Sequence, residues 1–214
     1  MGLLDRLALR RPDTEPPVGP SAVVDDPVFA TKALRKFLTL LTARESPVLL
    51  DLGPVVGSNV SFFGEQLGCK IFVEDIFADL DRHVREGKTD ELPAFLKKRF
   101  PQPDGTVDGI LCWDLIDYLD RPAAQELAPE LTRVLRPDGA LLGFFRTAPP
   151  REMRYTKYII VDEVNLKHRS YAAARSRQAI LLNRDIIRMF SGLRVSDSFL
   201  LQNNLREILF RKPA

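Results

Sequence analysis

The feature that most constrains the fold is a short apolar run, VLLDL at residues 48–52, which Gly53 and Pro54 close. Its side chains are apolar at consecutive positions apart from Asp51, so a strand here would be buried on both faces. Burial on both faces is typical of strands in a parallel sheet that has helices on each side. The run therefore predicts an internal strand of an α/β fold.

Helix-like and strand-like patterns alternate after this run. We expect helices over residues 57–67, 76–86, 92–100 and 122–135, and strands over residues 71–73, 107–113 and 140–145. Such alternation is typical of right-handed βαβ units in a doubly wound sheet. Pro129 falls inside the last of these helices and removes a backbone hydrogen bond, so we expect it to kink or split that helix.

The N-terminal part divides into a tail and the start of the domain. A Pro-rich stretch, PDTEPPVGP, cannot hold regular hydrogen bonds, so residues 1–24 are predicted to be a flexible tail. Leu3, Leu4 and Leu7 would share one face of a short helix. Two alternatives remain open for this segment: a helix that docks on a partner or membrane, and a frayed terminus. Asp26 suits an N-cap and Pro27 a first turn, so a helix reaching Leu41 is predicted to begin there. The domain is then residues 25–214.

The last third of the chain has a different pattern. We expect a strand over residues 158–161, a helix over residues 182–190 and two strands over residues 195–201 and 205–210. Asn203 and Asn204 lie between the last two strands, and Asn tolerates the positive φ of a tight turn. An antiparallel hairpin at the edge of the parallel sheet is therefore predicted.

Composition excludes several classes of protein. The 214 residues, 45% of them hydrophobic, suffice for one domain with a core, and a net charge of +2 favours neither nucleic acid nor membrane. Cys69 and Cys112 lie in apolar runs without the Cys/His spacing of a metal site, so we expect buried, reduced thiols and no metal. No apolar run approaches the ~18–20 residues of a membrane span, and early charges interrupt any signal peptide. A cytoplasmic protein is expected.

Four segments resemble the class I S-adenosylmethionine-dependent methyltransferase family in order and spacing. They are LLDLGPVVGSN, FVEDIF, VDGILCWDLIDYL and ELTRVLRPDGALLGFF, and the terminal hairpin completes that family's sheet. The resemblance covers about residues 27–212, and its most specific piece, the turn RVLRPDG, reports fold more than activity. It implies a Rossmann-like, doubly wound, mostly parallel sheet with a C-terminal antiparallel hairpin, and it implies S-adenosylmethionine as the cofactor.

The resemblance also implies a cofactor site at the ends of the first two strands. Asp51, Gly53 and Gly57 fit the turn that approaches the methionine part, because a Gly-bearing turn before a helix lets the backbone reach a ligand. An acid after the next strand would accept hydrogen bonds from both ribose hydroxyls. Glu74 is the best match and Asp75 the reserve, and the alternative role for either acid is to cap the following helix.

Trp113 and Asp114 end the family's fourth strand, where they would lie beside the cofactor and the reacting centre. Asp114 would bind on the amino-group or adenine side, whereas Trp113 is accounted for equally well by core packing. No catalytic acid or base is predicted, and none is required, since methyl transfer from a sulfonium depends mainly on in-line positioning.

Two features depart from the family's pattern. Val55 stands at the middle glycine position of the usual acid-x-Gly-x-Gly-x-Gly loop, where its branched side chain would narrow the pocket or reroute the loop. The third strand, with the acid that would bind the adenine amino group, is hard to find, since residues 89–105 look helical with a turn. Two hypotheses remain open: an active methyltransferase, and a non-catalytic methyltransferase-like binding or scaffold module.

Positive charge is concentrated between residues 146 and 177. Eight basic residues stand there against three acids, which is +5 in a chain of net charge +2. In the resembled family such insertions cover the substrate side, so an anionic substrate is one hypothesis and a solvated basic hairpin the other. A nucleic-acid binder is a third, disfavoured hypothesis that predicts strongly salt-dependent binding. The substrate-side candidates are Trp113, Arg154, Tyr155, Tyr158, His168 and Arg169.

Overall fold

The computed structural model describes residues 27–148, 154–174, 180–201 and 203–214. The strands are β1 (Val28–Ala30), β2 (Val48–Asp51), β3 (Lys70–Val73), β4 (Val107–Trp113), β5 (Leu135–Arg146), β6 (Arg154–Ile160), β7 (Asn165–Ala172), β8 (Arg194–Leu200) and β9 (Leu205–Arg211). The α-helices are α1 (Leu34–Leu41), α2 (Gly57–Ser61), α3 (Ile76–Arg85), α4 (Leu92–Leu96), α5 (Arg121–Val134) and α6 (Asn183–Met189). A π-helical turn (Phe62–Gln66) continues α2, and 3-10 turns span Thr89–Glu91 and Leu115–Tyr118.

Six strands form the central sheet in the order β3-β2-β4-β5-β9-β8. Strands β3, β2, β4 and β5 are mutually parallel, while β9 pairs antiparallel with both β5 and β8. β2 therefore has a neighbour on each side, and its residues Leu49 and Leu50 are fully buried, as the apolar run predicts. The doubly wound, mostly parallel sheet with a C-terminal antiparallel hairpin is confirmed.

A second, three-stranded sheet has the order β1-β7-β6 and is antiparallel throughout. The sequence predicts a strand only for part of β6. The helix start predicted at Asp26 and Pro27 is wrong, because Val28, Phe29 and Ala30 pair with β7, more than 130 residues away. α1 begins at Leu34 instead, where the Thr31 hydroxyl accepts a hydrogen bond from its N–H.

Helices cover both faces of the central sheet. α1 buries Leu34, Phe37, Leu38 and Leu41 against one face, at about 1.5–3 kcal/mol for each large apolar side chain. Gly109 of β4 permits this approach, because a Cβ there would lie 2.8 Å from Leu41 Cδ1. On the other face, α3, α4 and α5 contribute to a larger apolar cluster.

Four other predictions from the sequence have clear outcomes. α5 runs through Pro129 without interruption, so Pro129 does not split that helix. The helix predicted over residues 92–100 ends at Leu96. Residues 86–106, all of them described, contain helical turns and no strand, so the family's third strand is missing here. The terminal hairpin is confirmed, and Asn204 has a φ of 58° at its turn.

The remaining expectations concern the termini, the thiols and location. The predicted tail, with Leu3, Leu4 and Leu7, lies outside the described residues, and the division at residue 25 stays a prediction. Cys69 and Cys112 are both free and buried, as expected. No helix within the described ranges is long and apolar enough to cross a membrane. The cytoplasmic location stays a prediction.

Candidate functional site

The candidate site lies at the carboxyl ends of β2, β3 and β4. The chain leaves β2 toward β3 on one side, and the later strand β4 pairs with the other side of β2. In open α/β sheets, ligands bind in the crevice that such a change of direction creates. Asp51, Glu74 and Trp113 stand at these three strand ends.

Asp51 is the polar centre of this edge. Asp51 is only 5% exposed, and its Oδ1 accepts hydrogen bonds from Gly53 N (2.9 Å) and from Trp113 Nε1 (2.7 Å). Burial raises the pKa of Asp51 from 3.8 to about 6, and the nearby charge of Asp75 contributes in the same direction. These contacts tie the turn after β2 to the end of β4.

The two glycines of the turn have different surroundings. A Cβ added to Gly53 would lie 2.8 Å from Trp113 Cδ1 and 2.9 Å from Trp113 Nε1, so the indole covers this glycine. A Cβ added to Gly57 would meet nothing within 4 Å. Val55 is 63% exposed, so Trp113, and not Val55, fills the space beside Gly53.

The two acids after β3 also differ. Glu74 is paired through Oε2 with Arg99 Nη1 (2.6 Å) and accepts through Oε1 from Gln102 Nε2 (3.2 Å). Arg99 also donates through Nε to Asp79 Oδ2 at 2.8 Å. Both carboxylate oxygens of Glu74, the preferred ribose ligand, thus have protein partners.

Asp75 caps α3, which is the alternative role expected for an acid at this junction. Its Oδ1 accepts a hydrogen bond from Ala78 N at 3.0 Å. Burial raises the pKa of Asp75, while the charge of Lys157 on β6 lowers it. Asp75 also influences Asp51 and Tyr171, so its carboxyl is electrostatically coupled to the turn and to the hairpin above it.

Asp114 follows Trp113 at the start of the 3-10 turn Leu115–Tyr118 and is completely buried. Burial raises the pKa values of Cys112 and Tyr171, and the charge of Asp114 raises both further. The structure therefore places Asp114 inside the protein, beneath the edge that carries the turn.

Trp113 is the contact between the central sheet and the β6–β7 hairpin. Its ring stacks on Tyr158 with centroids 5.1 Å apart and an interplanar angle of 9°. Phe144 packs against Trp113 and Tyr158 at centroid distances of 5.6 Å and 5.0 Å. Two of the predicted substrate-side residues, Trp113 and Tyr158, are thus brought together in a buried aromatic cluster.

Asn59 holds the hairpin above the turn, and sequence reasoning missed it. Its Nδ2 donates to the Tyr158 carbonyl (2.8 Å) and its Oδ1 accepts from Ile160 N (2.9 Å). The amide thus pairs with β6 as a neighbouring strand would. The only signal in the sequence was a polar residue at position 59, two residues after Gly57, in a helix expected to bury apolar side chains.

The other substrate-side candidates are dispersed. Tyr155 is buried and donates its hydroxyl to Asp81 Oδ1 at 2.7 Å. His168 packs edge-on against Phe29 at 5.7 Å, and Arg154 and Arg169 lie exposed on the hairpin. Arg151, Arg175 and Arg177 of the basic segment lie outside the described residues.

Comparisons with known proteins agree with the fold. Residues 50–143 match the family model described as a methyltransferase domain. A search of curated protein sequences found no match. Among solved structures, the PH0226 protein from Pyrococcus horikoshii OT3 is similar with TM-score 0.52 and 19% identity, over 84% of this chain and 88% of that one.

Two further solved structures are similar. The cyclase SpnF has TM-score 0.51 and 13% identity, over 85% of this chain and 80% of that one. A 1,6-didemethyltoxoflavin-N1-methyltransferase from Burkholderia thailandensis, solved with S-adenosylhomocysteine, has TM-score 0.48 and 17% identity, over 85% of this chain and 79% of that one.

Proposed function

We propose that this protein, a class I methyltransferase domain by its sheet order and by the match of residues 50–143, binds S-adenosylmethionine and transfers its methyl group. The observation that carries the proposal is the open turn at Gly57 beside the buried carboxyl of Asp51. The turn leads directly into a helical segment, and the first amides of a helix have no intrahelical partner.

The residues at this edge fit the cofactor. The open side of Gly57 and the amides that begin α2 suit the carboxylate of the methionine part. Asp75 suits the ribose, because Glu74 is already paired with Arg99 and Gln102. When bound, the cofactor supplies a methyl group on a positively charged sulfur. The protein's own contribution is to orient that group and to exclude water.

Water exclusion follows from the hairpin. Tyr158 and Phe144 pack together beside the turn, and Asn59 fixes the backbone of β6 at Tyr158 and Ile160. The acceptor is proposed to approach from the hairpin side and to carry an anionic group. Lys157 supports this, because its ammonium lies 5.1 Å from the centre of the Tyr171 ring and its charge acts on Asp75.

Gly57→Leu tests the cofactor site without disturbing the fold, since the added side chain enters open space. We expect calorimetric titration with S-adenosylmethionine to show saturable binding for the natural protein and a loss of at least tenfold for this variant. Gln66→Leu, an exposed position at the other end of the same helical segment, is the matched control and should bind normally. Equal affinities for all three proteins would place the ligand elsewhere.

A non-catalytic module is the second candidate, and two contacts favour it. Trp113 covers Gly53, and Arg99 with Gln102 engages Glu74, so side chains of the protein stand at two of the positions that the family resemblance assigns to the cofactor. The cyclase SpnF has a similar fold, so the fold alone does not establish methyl transfer. Absence of S-adenosylmethionine binding at millimolar concentration would favour the module.

A further inference from the structure

Trp113 lies against Gly53, where the proposed cofactor site requires free space. The indole atoms Cδ1 and Nε1 lie 2.8 Å and 2.9 Å from where a Cβ of Gly53 would be. Real Cβ atoms essentially never have such close neighbours, so no ligand atom fits against this face of Gly53 while the indole is there.

Two backbone irregularities direct Trp113 to this position. The pairing of β4 with β5 shifts register between Leu111 and Trp113, so that two steps along β4 match one step along β5. A bulge of this kind redirects the side chain that follows it. Trp113 itself has a φ of 48°, in the left-handed region that bulky residues rarely adopt.

A hydrogen bond and two ring contacts then hold the indole in place. Its N–H donates to the buried Asp51 carboxyl at 2.7 Å, and its ring stacks on Tyr158, which Asn59 fixes through the backbone of β6. Phe144 packs against the same indole at a centroid distance of 5.6 Å. None of these contacts is covalent, so a bound ligand can displace the indole from Gly53.

We propose that Trp113 is an internal occupant of the cofactor turn, and that its indole must leave Gly53 before the methionine part can bind there. This rests on the proposed function, since it concerns the same site. When the indole leaves, Asp51 Oδ1 loses one of its two hydrogen-bond donors. This oxygen then becomes available to the ammonium group of the ligand. Trp113 thus sets the affinity of the site as a positioning residue.

The sequence provides a direct probe, because Trp113 is the only tryptophan among the 214 residues. We expect tryptophan emission of the natural protein to change on titration with S-adenosylmethionine and to saturate together with the heat of binding. Quenching by acrylamide should rise, because the indole is in a residue only 3% exposed before binding. An indole that stays over Gly53 during binding would leave the emission unchanged.

Variants separate this proposal from the function on which it rests. Trp113→Leu removes the ring from Gly53 and should bind S-adenosylmethionine at least tenfold more tightly. Phe144→Leu is the matched control, because it alters the same aromatic cluster without touching Gly53, and its affinity should not rise. If Trp113→Leu does not fold, Trp113→Phe replaces it. A phenyl ring lacks the N–H that bonds Asp51, so it is held less firmly over Gly53 and affinity should still rise.

Each outcome has one interpretation. Two outcomes support the proposal. In the first, Trp113→Leu binds S-adenosylmethionine and the natural protein does not. In the second, Trp113→Leu binds it more tightly than the natural protein, whose emission changes on binding. Binding by the natural protein with unchanged emission, and with no gain in Trp113→Leu, overturns the proposal and leaves the proposed function intact. Absence of binding in the natural protein and in Trp113→Leu overturns both.

Discussion

Glu74 and Asp75 are adjacent in the sequence, but their side chains have different partners. Glu74 pairs with Arg99 and Gln102, while Asp75 caps α3 and is coupled to Asp51 and Lys157. Both acids follow the end of β3 at Val73, so their partners, and not strand alternation, distinguish them. At the residue scale, these contacts assign one acid to an internal ion pair and leave the other as the proposed ribose ligand.

Substitution of each acid separates the two roles. Asp75→Ser retains an N-cap oxygen for α3 but loses the two-oxygen acceptor, so we expect S-adenosylmethionine affinity to fall at least tenfold with stability nearly unchanged. Glu74→Gln weakens the pairing with Arg99, so we expect a loss of about 1–2 kcal/mol in the free energy of unfolding and little effect on affinity. Calorimetry and urea unfolding measure the two effects. The reverse assignment would follow if only Glu74→Gln lost binding.

At the scale of elements, one side chain of α2 hydrogen-bonds the backbone of the β6–β7 hairpin. Asn59 satisfies the Tyr158 carbonyl and the Ile160 N–H, and both of these backbone groups are in buried residues. Buried backbone groups without partners are costly, which makes this amide a structural connection between α2 and β6. The same connection fixes the backbone of Tyr158, whose ring stacks on Trp113.

Asn59→Leu should therefore release the hairpin. We expect a loss of about 2–4 kcal/mol in the free energy of unfolding, because two buried backbone groups lose their partners. Amide hydrogen exchange should accelerate in β6 and leave β5 nearly unchanged. Ser61→Ala on the same helix is the control, since its hydroxyl makes only a surface contact with Glu65 at 3.4 Å. Unchanged exchange at Ile160 in the Asn59 variant would contradict this role.

At the scale of the whole molecule, the buried carboxyl of Asp51 couples protonation to folding. Its pKa is about 6 in the folded protein and 3.8 ordinarily, so the folded state binds the proton more tightly. The contribution of Asp51 to the free energy of unfolding is therefore greatest below about pH 4, and it declines as pH rises from about 4 to about 6. The decline amounts to about 3 kcal/mol at most.

Urea unfolding across this pH range tests the coupling. Asp51→Asn keeps an oxygen acceptor for Gly53 and Trp113 but has no charge, so its curve should lack the decline that the natural protein shows between pH 4 and 6. Asp104→Asn is the control, since that side chain is 80% exposed and lies at the surface. A decline of equal size in Asp51→Asn would assign the effect to another group.

Much of the architecture follows from the sequence. The apolar run at β2, the helix and strand periodicities and the Asn203-Asn204 turn are local patterns, and each predicted element of the central sheet is found in the structure. The missing third strand was also predicted, since residues 89–105 look helical with a turn. These features depend on neighbours within about ten residues, which is the range over which sequence patterns are informative.

The site depends on contacts that no local pattern contains. Arg99 pairs with Glu74 across 25 residues, Trp113 bonds Asp51 across 62, and Asn59 pairs with β6 across 99 to 101. β1 was predicted as helix because its partner, β7, is equally remote. The sequence by itself thus determined the methyltransferase fold and the strand ends that carry the proposed site. Only the tertiary structure decided which side chains fill that edge, because packing between distant segments determines their partners.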